Sequence, residues 1–195
     1  MFVRRFLALT MSWAALAMAP GAGAAEIVIS VKKQTMTVME GRTRKAEFPI
    51  STSKFGLGDT FHSFRTPTGT FAIQRKVGDN LPSGAVLKGL HFTGEVLRPD
   101  AAGRDPIVTR VLCLRGLGIG NRNAAARGIY IHGTPEEKRI GQPASYGCIR
   151  MRSRDVIELF NAVPVGTLVT ISDVGGLLAS TAAAKADLHG DDWYR

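Results

Sequence analysis

Ser145-Tyr146-Gly147-Cys148-Ile149-Arg150-Met151, with Ile131-His132-Gly133-Thr134 placing His132 sixteen residues before the cysteine, is the stretch that decides how this chain is read. It supplies one thiol, one imidazole on a separate segment, and a glycine beside the thiol. A cysteine and a histidine brought together in a fold are the minimum for thiolate catalysis. The imidazole takes the proton, the thiolate attacks a carbonyl, and backbone N–H groups beside the cysteine hold the oxyanion. The competing role for any cysteine is that of a small buried hydrophobe. A free thiol near pKa 8.5 is only slightly ionised at neutral pH, so a nucleophilic Cys148 calls for a lowered pKa, and His132 is expected to supply it. Gly147 leaves the approach free of side chain, so a substrate oxygen is expected to meet the N–H groups of Gly147 and Cys148. Ser145 is expected either to brace the loop or to be an ordinary turn serine. Arg150 is expected either to grip a substrate carboxylate as a fork or to form a local ion pair.

The upstream Thr66-Pro67-Thr68-Gly69-Thr70-Phe71 adds a third motif. In this order the three resemble the L,D-transpeptidase (YkuD-type) family, over most of the chain from about Glu26 to Ser172. The resemblance implies a mainly β fold with one or two short helices, a YkuD-like β-sandwich catalytic domain. It also implies a cysteine that attacks the peptidoglycan stem peptide at the bond following an L-centre of diaminopimelate. Carried over by residue, the nucleophile falls on Cys148, the catalytic histidine on His132, and the carbonyl that orients the histidine on Gly133. The chain departs from the family at one point: Tyr146 stands where a second histidine is usual.

The N-terminus reads as a targeting signal. Arg4 and Arg5 form a basic region, Phe6 to Met18 an apolar one, and Ala22-Gly23-Ala24 a small-residue cleavage site. Pro20 and Gly21 end the apolar run before the roughly 20 residues a membrane span requires. Residues 1–24 are therefore expected to be removed, giving an exported protein of the periplasm or cell wall with no membrane span in the mature chain. The 171 residues left suit one domain: catalytic over 25–173, then a tail over 174–195 with a short helix at Leu177 to Leu188. The full chain carries a formal net charge of +9, which becomes +7 without Arg4 and Arg5. After export, nucleic acid is excluded as a partner for that charge; peptidoglycan stem peptides, which bear carboxylates, match its sign.

Along the chain, Ile27 to Val31 and Thr35 to Met39 read as strands joined by a turn at Lys32-Lys33-Gln34, and Ala46, Phe48 and Ile50 continue a period of two. Thr66-Pro67-Thr68-Gly69 carries the signature of a type I turn feeding a strand over Thr70 to Gln74. Residues 78–84 and 99–106 read as loops. Ile107 to Leu114 reads as a strand, with Cys113 packed as a hydrophobe rather than bridged to Cys148. Ile129-Tyr130-Ile131 reads as a buried strand ending at His132. After Met151, Ser153 is expected to cap a helix with Asp155 in its first turn and an apolar face of Val156, Ile157, Phe160 and Val163. Pro164 and Gly166 stop it, and Leu168 to Ile171 is a closing strand. His62, His91 and His189 have no ligand spacing, so no metal is supported, and the reading calls for no cofactor.

Three functions compete on these residues. The first is an L,D-transpeptidase passing an acyl group from Cys148 to an amine. The second is an L,D-carboxypeptidase cutting the same bond with water. The third is a wall-binding module without catalysis, prompted by Tyr146.

Overall fold

The computed structural model describes residues 24–173. The targeting signal and the C-terminal tail read from the sequence lie outside that range. Ten strands run in chain order: β1 (Ala25–Ser30), β2 (Thr35–Glu40), β3 (Thr43–Pro49), β4 (Gly69–Val77), β5 (Ala85–Lys88), β6 (His91–Val96), β7 (Ile107–Gly116), β8 (Tyr130–Gly133), β9 (Ile149–Met151) and β10 (Leu168–Ser172). One α-helix, α1 (Ser153–Ala162), joins β9 to β10, and two short 3-10 turns sit at Ile119–Asn121 and Glu137–Arg139. The mainly β architecture with short helical pieces is the one expected.

The strands pair in the order β3-β2-β1-β10-β4-β7-β5-β6, with β8 branching from β7 and β9 from β8. The pairs β1–β10 and β8–β9 are parallel and the others antiparallel. Just beyond β3, Ser51 bridges Arg150 of β9. The ladder that runs from β9 through β8, β7, β4, β10, β1 and β2 to β3 thus returns to its start. What it encloses is the main core, built from Ile27, Ile29, Phe48, Ile50, Phe71, Ile73, Leu112, Ile131, Ile149 and Met151 among others. Period-two burial in these strands turns alternate side chains inward. Closure leaves few bare edges in this part of the sheet.

The turn after β1 forms where expected, but Gln34 has a second duty. It is buried in the left-handed region (φ 51°) and its amide bonds the Val31 carbonyl, Thr52 Oγ1 and the Thr52 N–H. The hairpin is thereby stitched to the segment leading toward the cysteine loop. Cys113 is buried in β7 and, like Cys148, is a free thiol.

Three local expectations are corrected. No turn forms at Thr66–Gly69 because the Thr66 N–H and carbonyl are taken by Gly56 and Gly58 in a parallel bridge with the Leu57 segment. Ser153 does not cap α1. It is the first helical residue, its N–H donates to Glu137 Oε1 at 2.8 Å, and its hydroxyl accepts from Thr109 Oγ1. The carboxylate of Glu137 fills the capping role from another loop, favourable at a helix N-terminus. On the buried face of α1, Leu159 takes the place expected for Ile157, alongside Val156 and Phe160. The other end is closed by Lys76, whose Nζ donates to the carbonyls of Phe160 and Val163, a cation on the exposed C-terminal carbonyls.

Candidate active site

β8 and β9 form the floor of the site. In their parallel register Ile131 lies beside Ile149, His132 beside Arg150, and Gly133 beside Met151. Ile131, Ile149 and Met151 face the core. By alternation, Tyr130, His132 and Arg150 face the other way. Cys148 lies in the bend just before β9, and the Arg150 charge reaches both the thiol and the imidazole.

His132 is buried, and its Nδ1–H donates to the Gly133 carbonyl at 2.8 Å. A carbonyl only accepts, so the proton of the neutral ring sits on Nδ1 and leaves Nε2 as the lone-pair nitrogen. Burial, assisted by the Arg150 charge, lowers the pKa of His132 to about 4 against the pull of the Gly133 carbonyl and Asp105. It is a neutral base at physiological pH. Gly133 has no room for a side chain: a Cβ there would lie 2.6 Å from the Val108 carbonyl oxygen and 3.2 Å from Thr109 Cβ and Val156 Cγ1. The opposing strand is itself strained, since Thr109 of β7 sits at φ 72° beside an irregularity in the β7–β8 register. A β-branched residue in that region is a genuine outlier, of the kind found beside functional sites.

Cys148 is half-buried and lines a cavity of about 240 Å3 with Phe61, His62, Phe64, Arg127, Gly128 and Tyr146. Its Sγ–H donates to the Gly128 carbonyl at 3.3 Å. Burial raises the thiol pKa, while the Tyr130 backbone N–H and the charges of Arg150 and Arg127 oppose the rise. The lowered thiol pKa expected from the sequence is thus corrected in direction: burial favours the protonated thiol, as it favours the neutral imidazole.

The loop before the cysteine is fixed by its own atoms. Ser145 Oγ accepts the Gly147 N–H at 3.2 Å and donates to the Cys148 carbonyl at 2.6 Å, which makes it the brace. The Gly147 N–H is consequently engaged, against the expectation that it meets substrate. The backbone N–H groups of Tyr146 and Cys148 have no partner among the described residues. Gly147 adopts φ 121°, and a Cβ there would press on Ile129 Cδ1 at 3.2 Å and the Arg65 carbonyl at 3.3 Å. Its own carbonyl accepts from Thr66 Oγ1 at 2.9 Å, so the upstream motif touches the cysteine loop directly.

Of the two roles open to Arg150, the structure holds the local one. The guanidinium is buried, paired to Asp105 and, at 3.3 Å, to Glu136. Tyr146 is exposed, packed against Phe55 and Phe64, and its hydroxyl accepts from Lys54 Nζ at 3.0 Å. Sequence reading missed Arg127, Asp105, Lys54 and the phenylalanines of the rim, and found no ligand spacing for His62 without seeing that it lines the Cys148 cavity. Their only sequence signal is a density of aromatic residues over 55–64 in a segment too rich in glycine to be a strand. Among the described residues no cluster of three or more His, Cys, Asp or Glu could hold a metal, and no helix is long and apolar enough to cross a membrane.

Comparison with known proteins agrees with this fold. YqjB of Bacillus subtilis strain 168, which carries an L,D-transpeptidase name, is 42% identical over 59 residues, 30% of this chain and 34% of that protein. YkuD of the same organism, similarly named, is 57% identical over 42 residues, 22% of this chain and 26% of its own length. These matches span about a third or less of each relative. Among solved structures, L,D-transpeptidase 3 from Mycobacterium tuberculosis in complex with a faropenem-derived adduct superposes with a TM-score of 0.51 at 18% identity, covering 76% of this chain and 60% of that one. Another L,D-transpeptidase of M. tuberculosis H37Rv gives 0.51 at 19% identity over 76% and 57% of the two chains. At such identities the likeness is one of fold. The model of the L,D-transpeptidase catalytic domain, YkuD, matches residues 24–171, and by that match the chain belongs to the L,D-transpeptidase (YkuD) family.

Proposed function

We propose that the protein is an exported peptidoglycan L,D-transpeptidase with Cys148 as nucleophile and His132 as base. The observation that supports the reading is a thiol at an open cavity just before β9 together with, on the paired strand β8, a neutral imidazole whose Nε2 is unprotonated. As Cys148 Sγ attacks the carbonyl of diaminopimelate in a stem tetrapeptide, its proton passes to His132 Nε2. The S–C bond forms, the oxyanion is held by the free N–H groups of Tyr146 and Cys148, and the C–N bond to D-Ala breaks. The proton on His132 then leaves with the amine. An acceptor amine attacks the thioester, gives its proton to His132, and the thiol is restored. Transfer joins two stems and so cross-links or remodels the wall.

Both groups start neutral, so no ion pair has to be desolvated in the resting enzyme. The proton moves when the nucleophile is needed, as general-base catalysis allows. Gly133 positions His132 through its carbonyl, and Ser145 and Arg150 hold the loop that carries the thiol.

Incubation with a purified stem tetrapeptide, followed by intact-mass measurement, tests the reading. The expected result is an adduct on Cys148 lacking D-Ala, and cross-linked dimers when an acceptor stem is added. Tripeptide alone, at every acceptor concentration, would make the protein an L,D-carboxypeptidase. Absence of any adduct would leave the wall-binding module.

A further inference from the structure

Phe55, Phe61, Phe64 and Tyr146 stand 45 to 55% exposed around the mouth of the Cys148 cavity. Phe55, Phe64 and Tyr146 pack on one another with ring centroids 5.6 to 5.9 Å apart. A contiguous aromatic patch left in water on a small domain marks a surface that binds something.

The patch is built rather than incidental. His62 and Phe64 lie at φ 60° and 56°, where a residue with a side chain is held only by its surroundings. Those surroundings are visible. The buried Ser53 hydroxyl accepts the Phe55 N–H at 2.9 Å and donates to the Phe64 carbonyl, so one oxygen sets two of the rings. Arg127, its side chain 5% exposed, donates to the carbonyls of Gly58 and Arg65 and pairs with Asp59 at 3.1 Å. Thr66 then ties the segment to Gly147, one residue from the thiol.

A lysine rests on the rings of this platform. Lys54 is exposed, its Nζ 4.4 Å from the centre of the Tyr146 ring and hydrogen-bonded to the Tyr146 hydroxyl. Among the described residues no carboxylate pairs with it. Because Lys54 donates to the phenolic oxygen, the phenolic proton remains available to an acceptor. Two other cations near the thiol are spent, Arg150 on Asp105 and Glu136 and Arg127 on Asp59. Two donors, an ammonium and an O–H, therefore converge at the edge of an apolar surface, which is a receptor for a carboxylate on an aliphatic stem. Tyr146 is two residues from Cys148 and lines the same cavity as the thiol.

We propose that Lys54, held on Tyr146, reads a free carboxylate of the acyl donor next to the carbonyl that Cys148 attacks, with Phe55 and Phe64 covering the aliphatic segment between them. Lys54 is a specificity residue that touches substrate and leaves the thiol alone. The inference rests on the transpeptidase reading for the identity of the donor, and its test separates the two.

The Cys148→Ala protein, which binds without turnover, is titrated with a diaminopimelate-containing tetrapeptide and with the same peptide amidated at the diaminopimelate side-chain carboxylate. Amidation should weaken binding about tenfold at low salt, the scale of one well-placed charge pair, and added salt should shrink the gap. Adding Lys54→Met should lower affinity for the free acid by a similar factor and abolish the preference. Equal binding of the two peptides, or a preference that survives Lys54→Met, overturns the proposal. With Cys148 intact, iodoacetamide should alkylate Lys54→Met at the parent rate, and a matching fall would show that Lys54 acts on the thiol instead. A parent that shows the binding preference yet never forms an acyl adduct removes the transpeptidase reading and keeps the platform. A parent that forms the adduct but binds both peptides equally does the reverse.

Discussion

The floor of the site and its rim are built on opposite terms. The floor, β8 with β9, is regular paired backbone whose inward side chains are fully apolar and whose outward side carries neutral His132 and ion-paired Arg150, with the protonated thiol of Cys148 at its edge. The rim, residues 54–66 with Tyr146, has almost no regular pairing, two residues with side chains at positive φ, and large rings facing water. Burial on the floor keeps the proton on sulfur and off the imidazole until a substrate arrives. Exposure on the rim leaves ring faces and a lysine for something outside the protein. Under the proposed function, chemistry sits where the chain is most constrained, and recognition where it is held in place by a few buried hydroxyls and one arginine.

The floor should fail completely when its nucleophile is removed. Cys148→Ala is expected to abolish acyl transfer while circular dichroism stays that of the parent. A single small group is lost, worth about 1 kcal/mol of stability. Retained turnover in that variant would end the thiol mechanism.

Removing the base comes next. His132→Ala should lower acylation by about 10^2 to 10^4, the range of a general base, and slow alkylation of Cys148 by iodoacetamide at neutral pH. Alkylation at the parent rate would show that the thiol is activated elsewhere. The pH profile supplies a sharper test. An ordinary histidine would begin to shut down near pH 6.5, whereas His132 stays neutral to about 4, so acylation should hold level down to pH 5 and fall only around 4. Stability follows the same pair of values. Between 6.5 and 4 the unfolded chain binds a proton that folded His132 refuses, so stability should decline as pH falls through that window and then level off. The limit from this group is about 3 kcal/mol. An acid limb near 6.5 in both measurements would mean the ring is far more solvated than its burial implies.

The contrast between floor and rim also explains what could be read from the chain alone. The floor is legible because its demands are local: a period-two apolar run into His132 and a glycine before Cys148. The strands β5 and β6 were not legible, since β6 (HFTGEV) is nearly all exposed and carries no alternation to detect. The capping of α1 by Glu137 could not be read either, because a partner from a different loop leaves no spacing in the sequence. Arg150 shows the same limit: its side chain was foreseen, but its partners Asp105 and Glu136 come from two other segments and decide its role. The rim is set by long-range bonds from Ser53, Thr66 and Arg127, so its aromatic residues read as loop.

Two glycines join the regions, and their replacement should have intermediate effects. Gly133→Ala forces a methyl to within 2.6 Å of the Val108 carbonyl, so β8 must shift and carry the His132 ring with it. Gly147→Ala strains a backbone at φ 121° and pushes on Ile129 and Arg65. Each should destabilise by about 1 to 3 kcal/mol and slow acylation about 10- to 100-fold, since an ångström of misplacement carries that penalty. Thermal melts with acylation kinetics check both. A Gly133→Ala protein with parent kinetics would show that the Gly133 carbonyl is not needed to position His132.

The smallest effect is expected at Tyr146, where the chain leaves its family's pattern and where floor meets rim. If the residue at this position had to carry a proton during the reaction, a phenol near pKa 10 would serve poorly at neutral pH. Its surroundings point to contact instead. The ring packs between Phe55 and Phe64, the hydroxyl accepts from Lys54, and the ring lines the Cys148 cavity from the outside. The backbone N–H at this position is independent of the side chain and survives any substitution. Tyr146→Phe keeps the ring stack and removes the hydroxyl, so it should cost at most about tenfold in kcat/KM, the worth of one hydrogen bond. The change should fall on KM, with kcat held. Tyr146→Ala should lose more, because Lys54 then loses the nearer of its two rings and the platform loses its centre. A Phe variant slower by thousands, with kcat carrying the loss, would move the hydroxyl from the rim into the chemistry and erase the division between the two regions.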